Sequence, residues 1–532
     1  MTYLNLISFL GIFGLCAIAW IFSEHRRVVP WRVIIGGISL QLVLGALVFW
    51  FPPTRDGLQV FSGLLDSVFT AADAGARFVF GPTLVPNPDR PPAVAIGYVL
   101  AFRALPAVIF FSGLMALLYN LGVIQLITKV FADIFYKTMR LSGAESLSGA
   151  ANIFVGIEAA IAVKPYIAQM TRSELCAILS CCFGTAASST LAIYVSFLRP
   201  VFPNILGHLV SASIMGIPAC FVISKLLVPE TEVPVTAGGI PMEQAATASA
   251  APDGATTDSA VAATEEATGP KETVAGEPIE RVSPMDAAIL GALEGVRMAV
   301  SIAAVLIFIV GMVSLINQTF AGLATFPGPI GSFFQVVTLQ NIQGVLFYPL
   351  TLLTGVPFNE SWEASVLIGR RLLETAIPSY SALAEAGARP DNPLSPRTIL
   401  IVSYALSGFA HVASVGIFVG GTIALAPSRR KDITELGWKA LFVGTLGTLM
   451  IACIAGFFDN GNPTIIGTPD TNAIEQTAPA SPTASPTAAP SPVPIVSPTV
   501  SPAAVSPTVS PTPATQPLPT PTAAPTATPS TP

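Results

Sequence analysis

The chain has 532 residues, 52% of them apolar and only 11% charged, with a mean hydropathy of +0.68 and a net charge of −6. Soluble domains carry about 25% charged residues, and the deficit here falls in windows near the ~20-residue spanning length, so a soluble globular fold is excluded. No basic patch is present, which argues against a nucleic-acid partner.

The first apolar stretch, residues 4–22, has no basic segment before it, and His25, Arg26 and Arg27 follow it. It reads as a first span with its N-terminus outside rather than a cleaved signal. Further spans are expected at 33–51, 94–122, 173–197, 204–227, 286–316, 397–425 and 436–458. Residues 56–80 alternate apolar and polar faces at helical spacing and read as a helix lying in the membrane interface.

Two apolar segments are too polar to cross lipid alone. In 143–165 the interruptions are Gly149, Gly156 and Glu158; in 361–384 they are Gly369, Arg370, Arg371, Glu374 and Pro378. Irregular backbone at membrane depth persists only when buried in protein or lining water, so both read as re-entrant helical hairpins. Each precedes a span with its own small-polar cluster, 183–189 and 407–414. The pattern of hairpin then broken span thus occurs twice. Glu158 is the most telling residue, because a charge inside hydrocarbon costs about 2.5–3.5 kcal/mol on insertion scales and marks a substrate or ion path.

Arg26, Arg27 and Arg32, then Lys129, Lys137 and Arg140, then Arg429, Arg430 and Lys431 all fall inside under the positive-inside bias, which leaves both termini external. Residues 229–283 lack any aromatic residue and read as a disordered cytoplasmic linker. From Asp459 onward Lys, Arg and aromatic residues are absent, and Ser-Pro-Thr repeats read as an extended external tail. The expected organisation is 1–122, 123–228, the linker 229–283, 284–458 and the tail 459–532. All six cysteines (Cys16, Cys176, Cys181, Cys182, Cys220 and Cys453) lie in apolar stretches without zinc-type spacing, so they read as packing residues.

The blocks ANIFVG, KPYIAQMTRSEL, GALEGVRMAVSIAAVLI, LQNIQGVLFYPLTLLTGVP, LSPRTILIVSYALSGFA, VGIFVGGTIALAPSRRKDITELGWKAL and IACIAGFF are spread over residues 1–458. In them the chain resembles the concentrative nucleoside transporters, the sodium- or proton-coupled symporter family. The resemblance implies an all-α polytopic fold with about eight transmembrane helices, two re-entrant hairpins and an interfacial helix, divided into a scaffold and an elevator-type transport domain. It further implies a homotrimer in the plasma membrane that takes a nucleoside or related polar solute, needs no cofactor and is not an enzyme. The coupling ion, sodium or a proton, is its only other requirement.

The family's sodium positions fall on Asn152, Val155, Thr185 and Ala186. The other reading of these residues is local: Asn152 caps a half-helix and Thr185 bonds back to its own helix. The resemblance implies a substrate site at Gly156, Ile157, Glu158, Glu374, Thr375, Phe409, His411 and Ser414, with Glu374 displaced by two positions from the family's ribose-binding Glu, which falls on Ala376. Here the chain departs from the pattern. Where the family has Gly-Gln-Thr-Glu the chain has Gly156-Ile157-Glu158; where it has Asn-Glu-Phe-Val-Ala-Tyr the chain has Thr375-Ala376-Ile377-Pro378-Ser379-Tyr380. The Asn of the second broken span is His411. A pocket built on hydrogen bonds is rewritten by such losses, so a non-nucleoside, even anionic, solute stays open. Local readings also stay open: Glu158 pairing with Lys164, Glu374 with Arg370 at i,i+4, His411 as a satisfied interior group or a titrating one, and Arg370 and Arg371 meeting an anion at an external mouth. A non-transporting membrane receptor with the tail as its working part is the remaining alternative. A membrane enzyme lacks support, because no nucleophile–base pair or metal cluster accompanies His25, His208 and His411.

Overall fold

A computed structural model describes residues 2–86, 99–154, 156, 159–160, 163–186, 188–237, 273–274, 277–278, 283–462, 465 and 467. Apart from one antiparallel pair of two-residue strands, in which Thr273 faces Pro278, the regular structure of these residues is helical. Val155, Ile157, Glu158 and most of the linker and tail lie outside the described residues.

Helices α1 (Tyr3–Ile21) and α2 (Trp31–Phe49) match their expected spans. Each has 19 residues, about 28 Å at 1.5 Å per residue, close to the ~30 Å hydrocarbon thickness. The interfacial candidate is α3 (Pro52–Phe80), and the third span is α4 (Leu100–Asn120). The first hairpin has a nine-residue arm α6 (Gly143–Ala151) and a four-residue arm α7 (Lys164–Ile167), preceded by α5 (Val123–Met139). The first broken span is α8 (Arg172–Gly184) and α9 (Ser188–Leu198), followed by α10 (Ile205–Leu227). The second half has α11 (Pro284–Ala324), α12 (Pro329–Val336) and α13 (Leu339–Leu353). The hairpin α14 (Ser361–Glu374) and α15 (Ala376–Gly387) follows, then the broken span α16 (Pro396–Leu406) and α17 (Val412–Leu425), and last α18 (Arg430–Phe458).

Among the described residues six helices are long and apolar enough to cross a membrane. The shortfall from the expected eight comes from the spans at 173–197 and 397–425, each of which is two shorter helices. Helices α5, α12 and α13 were not expected as separate elements. Their short lengths and the Pro349 inside α13 kept them below the spanning pattern. The linker and tail expectations also start too early. Thr236 O accepts from Gly143 N at 2.9 Å, and Ile465 O meets His208 Nε2 at 3.0 Å, so the first residues of both segments dock on the helical body.

Helices α10 and α18 form the buried centre, each with 89% of its apolar window inside the protein, against 11% for α11. Helix α11 has 41 residues, about 60 Å of helix, so it must tilt or project beyond the hydrocarbon. It packs on α4 through Gly291 and Gly295, a small-xxx-small pair. A Cβ at Gly291 would stand 2.4 Å from Ala116 Cβ, and one at Gly295 2.8 Å from Ile109 Cα. Any larger side chain would push these helices apart.

Polar bonds close both ends of the bundle. At one end the Asn5 amide donates to the last carbonyls of α18, Phe457 O at 2.8 Å and Gly456 O at 3.2 Å, and Arg397 pairs with Asp459 at 3.0 Å. Those carbonyls lack helical partners, so the amide acts as a cap. At the other end Glu24, beyond α1, accepts from Arg172 at 3.1 Å and from Lys439, while Arg429 donates to Met170 O at 2.7 Å. Burial raises the Glu24 carboxyl, but Arg172 and Lys439 outweigh it and hold its pKa below the ordinary value. Its stabilisation is therefore present above the ordinary carboxylate pKa and lost as pH falls through the lowered folded-state value. In detergent, the thermal midpoints of wild type and Glu24→Gln should differ at neutral pH and converge on acidification; a constant gap would contradict this.

Lys225 near the end of α10 is buried against the first hairpin. Its ammonium meets Glu145 of α6 at 2.5 Å and Glu230 at 3.1 Å, and Thr171 donates to Glu230 at 2.9 Å. Glu145 also accepts from Ser142 N at 3.0 Å in the capping box that starts α6. Breaking a buried pair strands a charge at a cost of about 3–5 kcal/mol. Lys225→Met should lower the thermal midpoint steeply, with partial recovery when Glu145→Gln is added. A single variant as stable as wild type would refute that role.

Candidate functional site

Where a span breaks, backbone groups lose their helical partners and need others inside the protein. Both breaks satisfy this need from neighbouring elements. The first falls after Gly184, where Thr185 turns to an extended conformation. Its hydroxyl donates to Cys181 O at 2.9 Å, the local bond foreseen from sequence, and its carbonyl accepts from Phe409 N of the second break at 3.3 Å. The breaks therefore lie against each other. A Cβ at Gly408 would stand 2.7 Å from Phe183 O and 3.0 Å from the Gly184 carbonyl carbon, so only glycine allows this approach. Phe183 and Phe418 pack edge-to-face at 4.8 Å, adding an aromatic tie across the junction.

At the second break α17 begins at His411, which is buried and extended. Its Nδ1 accepts from Ser414 N at 3.2 Å, so His411 acts as the helix N-cap. The Ser414 hydroxyl lies 3.0 Å from the same nitrogen. An Nδ1 that accepts cannot carry a proton, and protonating it would break the cap. His411→Asn should keep the cap and the thermal midpoint, whereas His411→Leu should cost about 1 kcal/mol of stability. Equal midpoints for these two variants would contradict the capping role.

The second hairpin turns at Thr375, with φ of +73°. A β-branched residue in that region is a strained outlier, and such strain concentrates at functional tips. Each hairpin arm sends one side chain into the open C-terminal end of α16. Arg371 Nη1 donates to Ala405 O, and also to Thr448 Oγ1 at 3.0 Å; Tyr380 OH donates to Ser403 O at 2.9 Å. Tyr380 also stacks on Tyr194 of α9 with ring centroids 4.4 Å apart. The hairpin is thereby fixed to both broken spans.

Several predicted site residues fall in this assembly. Phe409, His411 and Ser414 line the second break, Thr375 forms the hairpin tip, and Thr185 and Ala186 form the first break. Asn152 ends α6 and is fully buried. Its amide donates to Ser148 O at 3.0 Å, and its Oδ1 has no partner. Gly156 is half-buried, while Val155, Ile157 and Glu158 lie outside the described residues. Glu374 is turned away from the tip. It pairs with Arg370 at 2.8 Å and faces an open groove of about 420 Å³ lined also by Ser314, Asn317, Gln318 and Gln340. The i,i+4 pair foreseen from sequence is thus present. Arg371 is placed differently from the expectation of an external mouth, because it is 1% exposed. Its place, and those of Tyr194 and Tyr380, were missed; the signal was Arg371 standing four residues before the hairpin turn.

Family comparisons agree with this architecture. The C-terminal model of the Na+ dependent nucleoside transporters matches residues 208–456, their N-terminal model residues 10–83, and a nucleoside recognition Gate model residues 101–201. An uncharacterized transporter of Haemophilus influenzae is 34% identical over 85% of this chain and 97% of its own length. The nucleoside permease NupC of Helicobacter pylori is 31% identical over 86% of this chain and 99% of its own. The solved structure of CNTnw in an inward-facing substrate-bound state is 36% identical, covers 86% of this chain and 98% of that one, and superposes with a TM-score of 0.70. The chain is a multi-pass membrane transporter, not an enzyme, and it belongs to the Na+ dependent, concentrative nucleoside transporter family.

Proposed function

We propose that this chain carries a nucleoside, or a polar solute of similar size, into the cell together with sodium, and that the solute sits where the two breaks meet beneath the second hairpin. The observation that carries the reading is the contact of the breaks, Phe409 N on Thr185 O, with the second hairpin clamped over α16. Two half-helices meeting inside a bundle expose backbone and cap groups to a small ligand, which suits a carrier site.

Sodium is assigned to Asn152, Val155, Thr185 and Ala186. Asn152 Oδ1 is a buried oxygen with no partner, and Thr185 Oγ1 donates its hydrogen to Cys181 O while keeping its lone pairs. Uncharged oxygen donors suit a hard monovalent cation. A proton carried by His411 is disfavoured, since that imidazole is engaged as an acceptor. Solute contacts are assigned to Gly156, Ile157, Glu158, Thr375, Phe409, His411 and Ser414; Glu374, paired with Arg370 and facing the groove beside α11, is not among them. In this reading the protein works as a homotrimer in the plasma membrane. Both termini are external, and the hairpins and broken spans move as an elevator against α4 and α11.

Uptake of labelled uridine into proteoliposomes tests the proposal. An inward sodium gradient should drive accumulation several-fold above equilibrium, and Thr185→Val should raise the sodium concentration needed. Uptake indifferent to both sodium and proton gradients would sink the symport reading.

A further inference from the structure

The tip of the second hairpin is rich in unanswered hydrogen-bonding groups. Arg371 is buried, and only its Nη1 is engaged; Nε and Nη2 have no partner. Among the described residues no carboxylate pairs with it, since the nearby Glu374 is taken by Arg370. On the facing arm Tyr380 donates to Ser403 O of the same helix end and stacks on Tyr194, and neither supplies a counter-charge. Thr375 Oγ1, 6% exposed, and Ser379 Oγ, fully buried, also lack partners. Between them begins α15, a twelve-residue helix whose N-terminus has no side-chain cap.

These features have one chemistry in common. A helix N-terminus presents unpaired N–H groups and a partial positive charge, and an arginine fork with free N–H groups adds a full one. Two hydroxyls able to donate complete the set. A buried cation without a counter-charge is costly and calls for one. Position 376, where α15 begins, is Ala, and Glu374 is taken by Arg370, so the local charge at the tip is positive.

We infer that the second hairpin tip binds an anionic group of the transported solute, a carboxylate or phosphate, through Arg371, Thr375, Ser379 and the N-terminus of α15. The inference rests on the transport reading above and specifies its substrate as an acidic solute. The mode of recognition is a charge-assisted fork to two oxygens, with the hydroxyls fixing its orientation. Arg371 has a dual place: Nη1 caps α16, and the remaining face of the guanidinium meets the solute.

The test compares binding of uridine, uridine 5′-carboxylate and galacturonate to the full chain in detergent with sodium present, beside uptake of each into proteoliposomes. Wild type should bind the uridine acid about tenfold more tightly than uridine, as a charge-assisted bidentate contact predicts. The preference should fall towards one in Arg371→Gln. Thr375→Val and Ser379→Ala, which leave the cap on α16 intact, should weaken the acid several-fold more than uridine. Uridine carried and the acid excluded would overturn the inference and leave nucleoside transport standing. Galacturonate bound in an Arg371-dependent way while uridine is neither bound nor carried would overturn nucleoside transport and support the inference. No binding of any probe would overturn both. An acid preference missing in wild type but gained in Glu158→Gln would also overturn the inference, by giving the counter-charge to the chain itself.

Discussion

The rest of the site depends on one constraint: a helix interrupted at membrane depth must find partners for its freed backbone groups inside the protein. Here the partners come from the second hairpin. Arg371 and Tyr380, one from each arm, donate to Ala405 O and Ser403 O at the end of α16. A cation at a helix C-terminus also complements the helix dipole. These bonds anchor both arms of the second hairpin to the end of α16, just before the break at 407–411. The same unit reaches the first broken span through the Tyr194–Tyr380 stack and the bond from Phe409 to Thr185.

The construction explains how so many small and polar residues survive inside the bundle. Gly408 permits contact of the breaks, His411 starts α17, and Thr185 ends α8 with a bond to its own helix. Each polar group used in this way has one hydrogen-bonding position already taken by the fold. What remains over is informative: the Asn152 carbonyl oxygen near the first hairpin and the guanidinium and hydroxyls at the second hairpin tip. The first offers an amide oxygen and the second a guanidinium with unpartnered N–H groups. A cation at one and an acidic group of the solute at the other would satisfy them.

Much of the architecture was legible in the chain. Continuous apolar runs gave α1, α2, α10 and α18, because length and hydropathy suffice for a spanning helix. The interruptions at Gly369 and Pro378, and the clusters at 183–189 and 407–414, marked hairpins and breaks because such residues do not persist in lipid-facing helices. Helices α5, α12 and α13 escaped notice, since short amphipathic or Pro-bearing segments share no spanning signature. The candidate site was legible only in its local structure. Phe409, His411 and Ser414 could be placed from their motif, and the Arg370–Glu374 pair from its i,i+4 spacing. Arg371 could not, because adjacent arginines on one helix face different directions and only packing decides which is buried.

Hydrogen–deuterium exchange on the full chain in lipid nanodiscs tests the central claim most directly. With sodium and saturating solute, added protection should concentrate in residues 183–188, 375–380 and 407–414, the two breaks and the second hairpin tip. Protection absent from those segments, or confined to the face of α11 near residues 314–321, would contradict the account.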